Sequence, residues 1–520
     1  MMFTARFRLS GVILLFSFFA FFACTHDDEP APLYEGPLQF LVESRYNPSL
    51  NHDVRLFQYA DHVVAGLIPG GESQLNRVTV TFKIPFDSEL WIDSSIYSLD
   101  TISVSLGEPL HSTVVDAEGR SVDYRIQVFA DGGLPVFWIE TEDRKPICSK
   151  EDYKNATLRI DPGDKFGQES RLIHTEIRGR GNSTWEMPKK PFRMKFNDRV
   201  PLLGFGATKN WVLLANYSDK TLLRNAIAFE LGNELMPGFT PRTRFVELYL
   251  NGQYEGVYHL TDQIRVEEER VAIDELDEND VDKQEITGGY LLEIDDRLDA
   301  DRWFYSGVLG FPFTFKNPEE PNDAQFEYIT QFINEIETIL VDPDISNRSE
   351  EYSALIDVES FVNYYIISEI VRNKDTGGGL SVFMYKSRNG KLSIGPLWDF
   401  DIAMGNINYN GNHDPEGWWI KTNNRWYKAL FEDPAFVQKV KARWVEVMPE
   451  LRYKLLERID ELAFHTLAVA QERNFQRWDI LNEWVWPNFD VFGSYEAEVD
   501  YLKTWLTTRI DWMDGEISGW

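Results

Sequence analysis

Hydrophobic positions near the start of the chain recur every second residue. RVTVTFKI alternates through Val78, Val80, Phe82 and Ile84; TISVSL through Ile102, Val104 and Leu106; DYRIQVF through Tyr124, Ile126 and Val128. Turn residues separate these runs, at Pro69-Gly70-Gly71 and Glu118-Gly119. Short alternating strands at this spacing predict a small β-sandwich over residues 38–131. Asp131-Gly132-Gly133 marks a boundary, and LPVFWIET opens a second region over 134–520. There PFRMKF alternates again, RFVELYLNGQYEGVYHLTDQI predicts a hairpin about Asn251-Gly252, and GGYLLEID predicts a buried strand. The period then lengthens. Leu222, Leu223, Ile227 and Leu231 form a helical stripe that Ser218 or Asp219 can cap, and Phe361, Tyr365, Ile366 and Ile370 form another over 358–372. From about Pro434 the chain is amphipathic helix, through Val437, Val440, Trp444 and Val447 and later Tyr501, Leu502, Trp505, Leu506 and Ile510. Strands followed by helices give an α+β class with a C-terminal helical lobe.

A length of 520 residues sets an expectation of two or three domains. The net charge of -32 argues against nucleic-acid partners, whose phosphates would be repelled. Arg6 and Arg8 precede an apolar run from Gly11 to Ala23, too short for a membrane span and suited to an export signal over residues 1–23. Its ending, Phe21-Phe22-Ala23-Cys24, resembles a bacterial lipoprotein signal cleaved before Cys24. Asp27, Asp28 and Glu29 resemble the surface-export tag of Bacteroidota lipoproteins. The resemblance implies a lipid on Cys24, a Pro- and acid-rich tether over 24–37, and a site on the outer face of the outer membrane, with the periplasmic face as the alternative. The lipid is then the one attachment to a membrane. The chain has two cysteines, so lipid on Cys24 leaves Cys148 with no partner for an internal disulfide.

Candidate chemistry concentrates in two stretches. KLSIGPLWDFDIAMGN runs from a buried strand into Asp399 and Asp401, which project to one side if the chain stays extended. Two carboxylates there suit a hard cation such as Mg²⁺, bound with substrate phosphates; a solvated loop carrying two acids is the plainer alternative. IRGRGNSTWEMPKKPFRMKF is basic within an acidic chain, with Arg178, Arg180, Lys189, Lys190, Arg193 and Lys195. Gly179 and Gly181 beside Asn182, Ser183 and Thr184 describe a phosphate-binding loop, though neither a Walker loop nor a dinucleotide fingerprint. Lys195 is a candidate strand lysine for nucleotide phosphates, with a solvated basic edge as the alternative. Arg224, near a helix start, is a candidate for an anion site or else a surface ion pair. Asp375 follows a helix in a Gly-rich segment and precedes Asp399 by about two dozen residues. That is the order of base and metal-binding aspartate in protein kinases. Trp418, Trp419, Trp426, Trp484 and Trp486 line either a carbohydrate surface or, more commonly for large aromatics, the core.

Together LPVFWIETEDRKPICSKEDY, IRGRGNSTW, KKPFRMKF, LLGFGATKNWVLLANYSDKTLLRN, ELYLNGQYEGVYHLTDQI, GGYLLEID and GPLWDFDIAMGN resemble the CotH kinase family, the spore coat protein H-like proteins. The resemblance covers residues 134 to the C-terminus. It implies an atypical, reduced protein-kinase-like domain that uses ATP and Mg²⁺ or Mn²⁺ to phosphorylate Ser/Thr of an unknown protein substrate. The preceding sandwich looks like an Ig-like spacer. By the same resemblance Asp375 is the catalytic-loop aspartate and Asp399 the metal aspartate, with Asp401 and Asn406 in support. Lys195 is the phosphate-holding lysine, and Arg180, Asn182 and Ser183 lie near nucleotide. Asp262 stands where Glu is common, one methylene short for an ion pair with Lys195. Ser381 stands where spore-type members carry Asn, which implies a weakened second metal site. Two other readings remain open: a non-catalytic surface protein capturing glycans or partners on a kinase-like scaffold, and a nucleotide-binding enzyme that transfers an adenylyl group.

Overall fold

The computed structural model describes residues 39–520, apart from short gaps at 49, 51–52, 60–62, 69–76, 85–86, 93, 106–109, 131–132, 163–165, 169–171 and 299. The expected signal, Cys24 and tether lie outside the described residues.

Nine strands come first among the described residues: β1 (Gln39–Val42), β2 (Val54–Tyr59), β3 (Val63–Ile68), β4 (Arg77–Lys83), β5 (Glu89–Ile92), β6 (Ser95–Tyr97), β7 (Thr101–Ser105), β8 (Leu110–Val115) and β9 (Ser121–Ala130). Their hydrogen-bonded order is β6-β5-β8-β9-β3-β2-β1-β4-β7, with β3 and β9 parallel. The period-two positions supply the core: Val78, Val80, Ile102, Val104, Tyr124 and Ile126 are buried together with Phe40 and Leu90.

Seven strands then close a barrel: β10 (Val136–Thr141), β11 (Lys154–Asp161), β12 (Leu172–Gly179), β13 (Phe192–Val200), β14 (Thr208–Leu214), β15 (Thr243–Leu250) and β16 (Gln253–Asp262). The short helix α1 (Ser183–Glu186) lies between β12 and β13, and α2 (Arg224–Leu235) between β14 and β15. Closure is made by a parallel pairing of β10 with β15, Trp138 opposite Tyr249. Phe192, Met194 and Phe196 point into the barrel with Phe137, Leu158, Trp211 and Leu260. The β15–β16 hairpin turns at Asn251-Gly252, both at positive φ (49° and 80°), as a two-residue turn between twisted strands requires.

Helix α2 begins later than the sequence predicts. Leu222 adopts φ 63°, which breaks the helical path, so Arg224 is the first helical residue and not one turn in. Asp219 still caps the segment from a distance, accepting from Arg224 N at 2.8 Å. Most of α2 is buried, and only Glu230, Asn233 and Glu234 leave a polar side toward solvent.

A second sheet, ordered β18-β19-β17-β20-β21, comprises β17 (Tyr290–Ile294), β18 (Trp303–Tyr305), β19 (Pro312–Asn317), β20 (Val382–Lys386) and β21 (Leu392–Ile394). Helices α3 (Asp323–Leu340), α4 (Ser349–Leu355), α5 (Val358–Ile370) and α6 (Lys374–Gly378) separate β19 from β20. After β21 come α7 (Ile420–Asn423), α8 (Arg425–Leu430), α9 (Pro434–Asp460), α10 (Ala470–Arg477) and α11 (Tyr495–Ser518). One large core joins α2, β17, α5, α9 and α11, with Ile227, Leu292, Ile366, Trp444 and Leu506 all buried in it. The molecule is thus of mixed α+β class. No helix among the described residues is long and apolar enough to cross a membrane.

Candidate active site

Three aspartates meet where the second sheet faces the loop between β12 and β13. Asp375 is in α6, a short helix and not the open Gly-rich loop the sequence suggests; Asn373 caps it by accepting from Asp375 N at 3.0 Å. Lys374 Nζ lies 3.1 Å from Asp375 Oδ1. Asp399 and Asp401 do not sit on an extended strand as the alternation argument assumed. Strand β21 stops at Ile394, and Asp399 takes φ 67° in the turn that follows. The left-handed residue brings the two carboxylates into one field by a different path. Asp399 Oδ2 accepts from Ser381 Oγ at 3.3 Å.

The charges are unevenly compensated. Burial first, then the Asp399 charge, push Asp375 up to about 6, against the pull of Lys374 and Arg297. Burial first and then Asp399, Asp219 and Asp375 push Asp401 well above the carboxylate range. Such crowding of acids marks a place built for a cation or for donors.

Two arginines answer it. Arg180, just past β12, lies over the Trp398 ring at 5.4 Å. Burial lowers its pKa while Asp399, Asp401 and Glu293 favour its charge; a guanidinium stays charged under such a shift. Arg297, just past β17, holds Asp295 through Nε at 2.8 and 2.9 Å. Its Nη2 also reaches Ser381 Oγ at 3.4 Å. Burial works against its charge, but Asp295 and Asp399 outweigh it, so its pKa is raised. With the Asn182 amide oxygen turned toward it, Asn182 accepts from Arg297 Nη1 at 2.5 Å. Arg180, Asn182, Arg297, Ser381, Asp375, Asp399 and Asp401 therefore form one connected set.

The rest of the basic stretch goes elsewhere. Lys195 is exposed on the outside of β13, 3.5 Å from Glu176 and 5.5 Å from the Tyr153 ring centroid. Met194 and its neighbours fill the barrel, so strand alternation turns Lys195 outward. Asp262 is fully buried and bonded to Arg242 Nε at 3.0 Å and to Arg270, not to Lys195. Lys189 is buried and donates to Asn474 Oδ1 at 2.9 Å; burial pushes it down to about 7. Ser183 is exposed at the start of α1. The glycines serve their own loop: a Cβ on Gly179 would strike the Trp185 ring, and one on Gly181 the Thr184 hydroxyl, each at 2.2 Å.

Arg224 and Asn406 brace the site from behind. Arg224 is fully buried, paired with Asp219 at 2.6 Å and donating to Ala403 O at 3.0 Å and Met404 O at 3.3 Å. It is neither a surface pair nor open to an anion; it fastens the start of α2 to the turn after Asp401. Asn406 donates to Asp401 O at 2.8 Å and Ser218 O at 3.1 Å, and accepts from Asn488 at 2.8 Å. Its amide is committed to holding the Asp401 backbone.

Sequence reasoning missed Arg297, Asp295, Glu293 and Lys374. A signal existed: Glu293, Asp295 and Arg297 recur at every second position at the end of a buried strand, an arrangement that puts charge on one side. No group of three or more acidic, His or Cys side chains arranged to hold a metal occurs among the described residues. A hard cation here would take Asp399 and Asp401 as protein ligands and complete its shell with phosphate oxygens and water, which suits Mg²⁺. The oxygen-only donors and the crowding of Asp401 by neighbouring carboxylates fit that ion.

Comparison with known proteins gives one family: residues 177–513 match the model described as CotH kinase protein. No curated protein matches the sequence.

Proposed function

The chain belongs to the CotH kinase family, and from that premise we propose that it is an ATP-dependent atypical protein kinase, exported and lipid-anchored, that transfers the γ-phosphate to Ser/Thr hydroxyls of secreted or surface proteins. The observation that carries this is the convergence of Asp375, Asp399 and Asp401 with Arg180 and Arg297. Arg180 and Arg297 bind and neutralise the phosphates, as fixed guanidiniums do for planar oxyanions. Asp399 and Asp401 would hold Mg²⁺ or Mn²⁺, which would supply positive charge to offset that of the phosphates. Asp375, raised to about 6, accepts or orients the proton of the acceptor hydroxyl near neutral pH. Lys374 holds the Asp375 carboxylate in place. Ser381, against Asp399, leaves a short hydroxyl where a second metal would want an amide oxygen.

The rest of the proposal is architectural. We read residues 38–131 as an Ig-like sandwich that spaces a kinase-like domain (134–520) from Cys24, on the outer face of the outer membrane. The test uses γ-labelled ATP with Mg²⁺ or Mn²⁺ on the wild type, Asp399→Ala and Asp375→Ala. Label on protein that requires both aspartates supports the kinase; full labelling by Asp399→Ala sinks it.

A second reading has an observation in its favour. Lys195 and Asp262 do not form the lysine–acid pair that kinases use, and each has other partners. A scaffold that has lost nucleotide chemistry would bind no ATP in the same assay. Transfer of an adenylyl group would appear as an added nucleotide mass in place of phosphate.

A further inference from the structure

We propose that Asp295 is a positioning residue that fixes Arg297 as a strut between the β12–β13 loop and the three-aspartate site. The inference rests on the kinase reading of that site. It supplies the ordering ion pair that Lys195 and Asp262 do not form, since each of those has other partners.

The strut starts from a rigid base. All five residues of β17 are buried, and the chain leaves the strand at Asp295, whose N donates to Pro312 O of β19 at 3.1 Å. Asp295 is itself 2% exposed. Its carboxylate closes a local turn by accepting from Arg297 N at 2.9 Å. The same carboxylate takes the Arg297 side chain, through Nε at 2.8 and 2.9 Å and through Nη2. Backbone and guanidinium are thus held by one group. Among the described residues that group accepts from Arg297 alone. The planar fork of arginine is oriented by such a carboxylate; a lysine ammonium would be a point charge on a flexible stem.

From this base the guanidinium reaches two other segments. Asn182, in the loop after β12, accepts from Nη1 at 2.5 Å and from Nε at 3.3 Å. Ser381, just before β20, accepts from Nη2 at 3.4 Å, and its hydroxyl donates to Asp399 at 3.3 Å. One side chain therefore ties the end of β17, the loop that carries Arg180, and the segment between Asp375 and Asp399. Asp295 also decides what Arg297 does not do. The Arg297 side chain is 36% exposed. Without the carboxylate at its base, the fork is free to fold onto Asp399, whose charge already acts on it, or to swing into solvent. In either case the loop loses its tie.

The experiment is a double-variant cycle read by hydrogen exchange on the full chain without nucleotide. Asp295→Asn keeps the shape of the carboxylate and removes its charge; Asn182→Ala cuts the far end of the strut. The reporter is the Trp185 amide, which donates to Asn182 O at 3.0 Å. We expect its exchange to quicken about tenfold or more in each single variant, the scale of a lost charge-assisted bond. The double variant should go no further, because both changes act through one guanidinium. Arg297→Lys, which keeps the charge and loses the fork, should exchange as Asp295→Asn does. A role for Asp295 confined to its own turn would loosen the amides there and leave Trp185 unchanged. In the labelling reaction Asp295→Asn should raise the KM for ATP about tenfold and lower kcat by less than about threefold. Circular dichroism checks the fold of each variant, and if Asp295→Asn does not fold, Arg297→Lys takes its place in the cycle. Trp185 exchange within about threefold of wild type in Asp295→Asn, additive losses in the double variant, wild-type exchange in Arg297→Lys, or a loss in kcat with KM unchanged overturns the proposal. A wild type that labels no protein overturns the kinase reading instead, and the exchange cycle then decides the strut by itself.

Discussion

The pair Glu369–Arg509 is the place to test how the catalytic helix is held. Both side chains are fully buried, with Arg509 Nη2 2.7 Å from Glu369 Oε1. The carboxylate also accepts from the backbone of Trp419 at 2.7 Å, Ile420 at 2.9 Å and Lys421 at 3.1 Å. Arg509 reaches on to Pro415 O at 2.8 Å and Gly417 O at 2.7 Å. The segment so fixed supports α6: Trp419 Nε1 donates to Lys374 O at 3.1 Å and Asn424 Nδ2 to Thr376 O at 2.9 Å. Arg509→Met strands a buried carboxylate and two carbonyls. Removing one member of a buried pair costs about 3–5 kcal/mol, against a total stability of about 5–15 kcal/mol. Hydrogen exchange of the Trp419, Ile420 and Lys421 amides reads this locally: a 3 kcal/mol loss is more than about a hundredfold in protection. Turnover should fall with it, since Asp375 loses its footing. Arg509→Met/Glu369→Gln removes the stranded charge and should recover part of the protection. Protection in Arg509→Met within about threefold of wild type, or a double variant worse than the single, would refute the reasoning.

Other expectations follow from the same geometry. Arg180→Met and Arg297→Met should each weaken ATP binding by about tenfold or more, the scale of a lost charge-assisted contact. Lys195→Met, exposed on the barrel wall, should leave it within about twofold; equilibrium binding with a fluorescent ATP analogue checks both. Asp375 has a folded pKa raised from 3.8 to about 6. Below 3.8 it is protonated in both states and contributes nothing; as pH rises through 6 the folded state acquires a poorly solvated charge and loses stability. Asp375→Asn should therefore abolish transfer yet raise the melting temperature at pH 7.5, with the difference vanishing toward pH 4. The wild-type rate should rise with pH through about 6 as Asp375 ionises, read as the pH dependence of labelling. Asn406→Ala frees the Asp401 carbonyl and should raise the Mg²⁺ concentration needed for half-maximal labelling; a Mg²⁺ titration of the labelling reaction measures it.

Much of this molecule could be read from its sequence. Period-two alternation found β4, β7, β9 and β13 because each buries chiefly one face, and the Asn251-Gly252 turn marked the β15–β16 hairpin, whose strands are buried on both faces over most of their length. The apolar stripe found α5, and the order of aspartates singled out Asp375 and Asp399, two carboxylates that the fold brings close enough to act on each other. What could not be read was pairing at a distance. Lys195 alternates with Met194 in any case; which face is the barrel interior depends on closure far away in the chain. Asp262 was matched to Lys195 by motif, but Arg242 and Arg270 are nearer in the fold. Arg224 was judged by its position on a helix, whereas its burial depends on the turn at Ala403. The turn at Leu222 carries no composition signal, since leucine at positive φ is held there by its surroundings and not by preference.

The closed barrel has a consequence for how the chain comes into being. Its seam joins β10 to β15, and Thr141 N bonds Asn251 Oδ1 across 110 residues. Until that hairpin has been made and has returned, β10 and β15 are raw edges able to pair with any other strand. Contacts of such span form late, after the entropy of a long loop has been overcome. A truncated product ending anywhere between residues 142 and 250 would carry an open seam, and so would a nascent chain paused there. Such intermediates need a holding chaperone or rapid completion, and expression fragments of this protein should be cut before Val136 or after Asp262, never between.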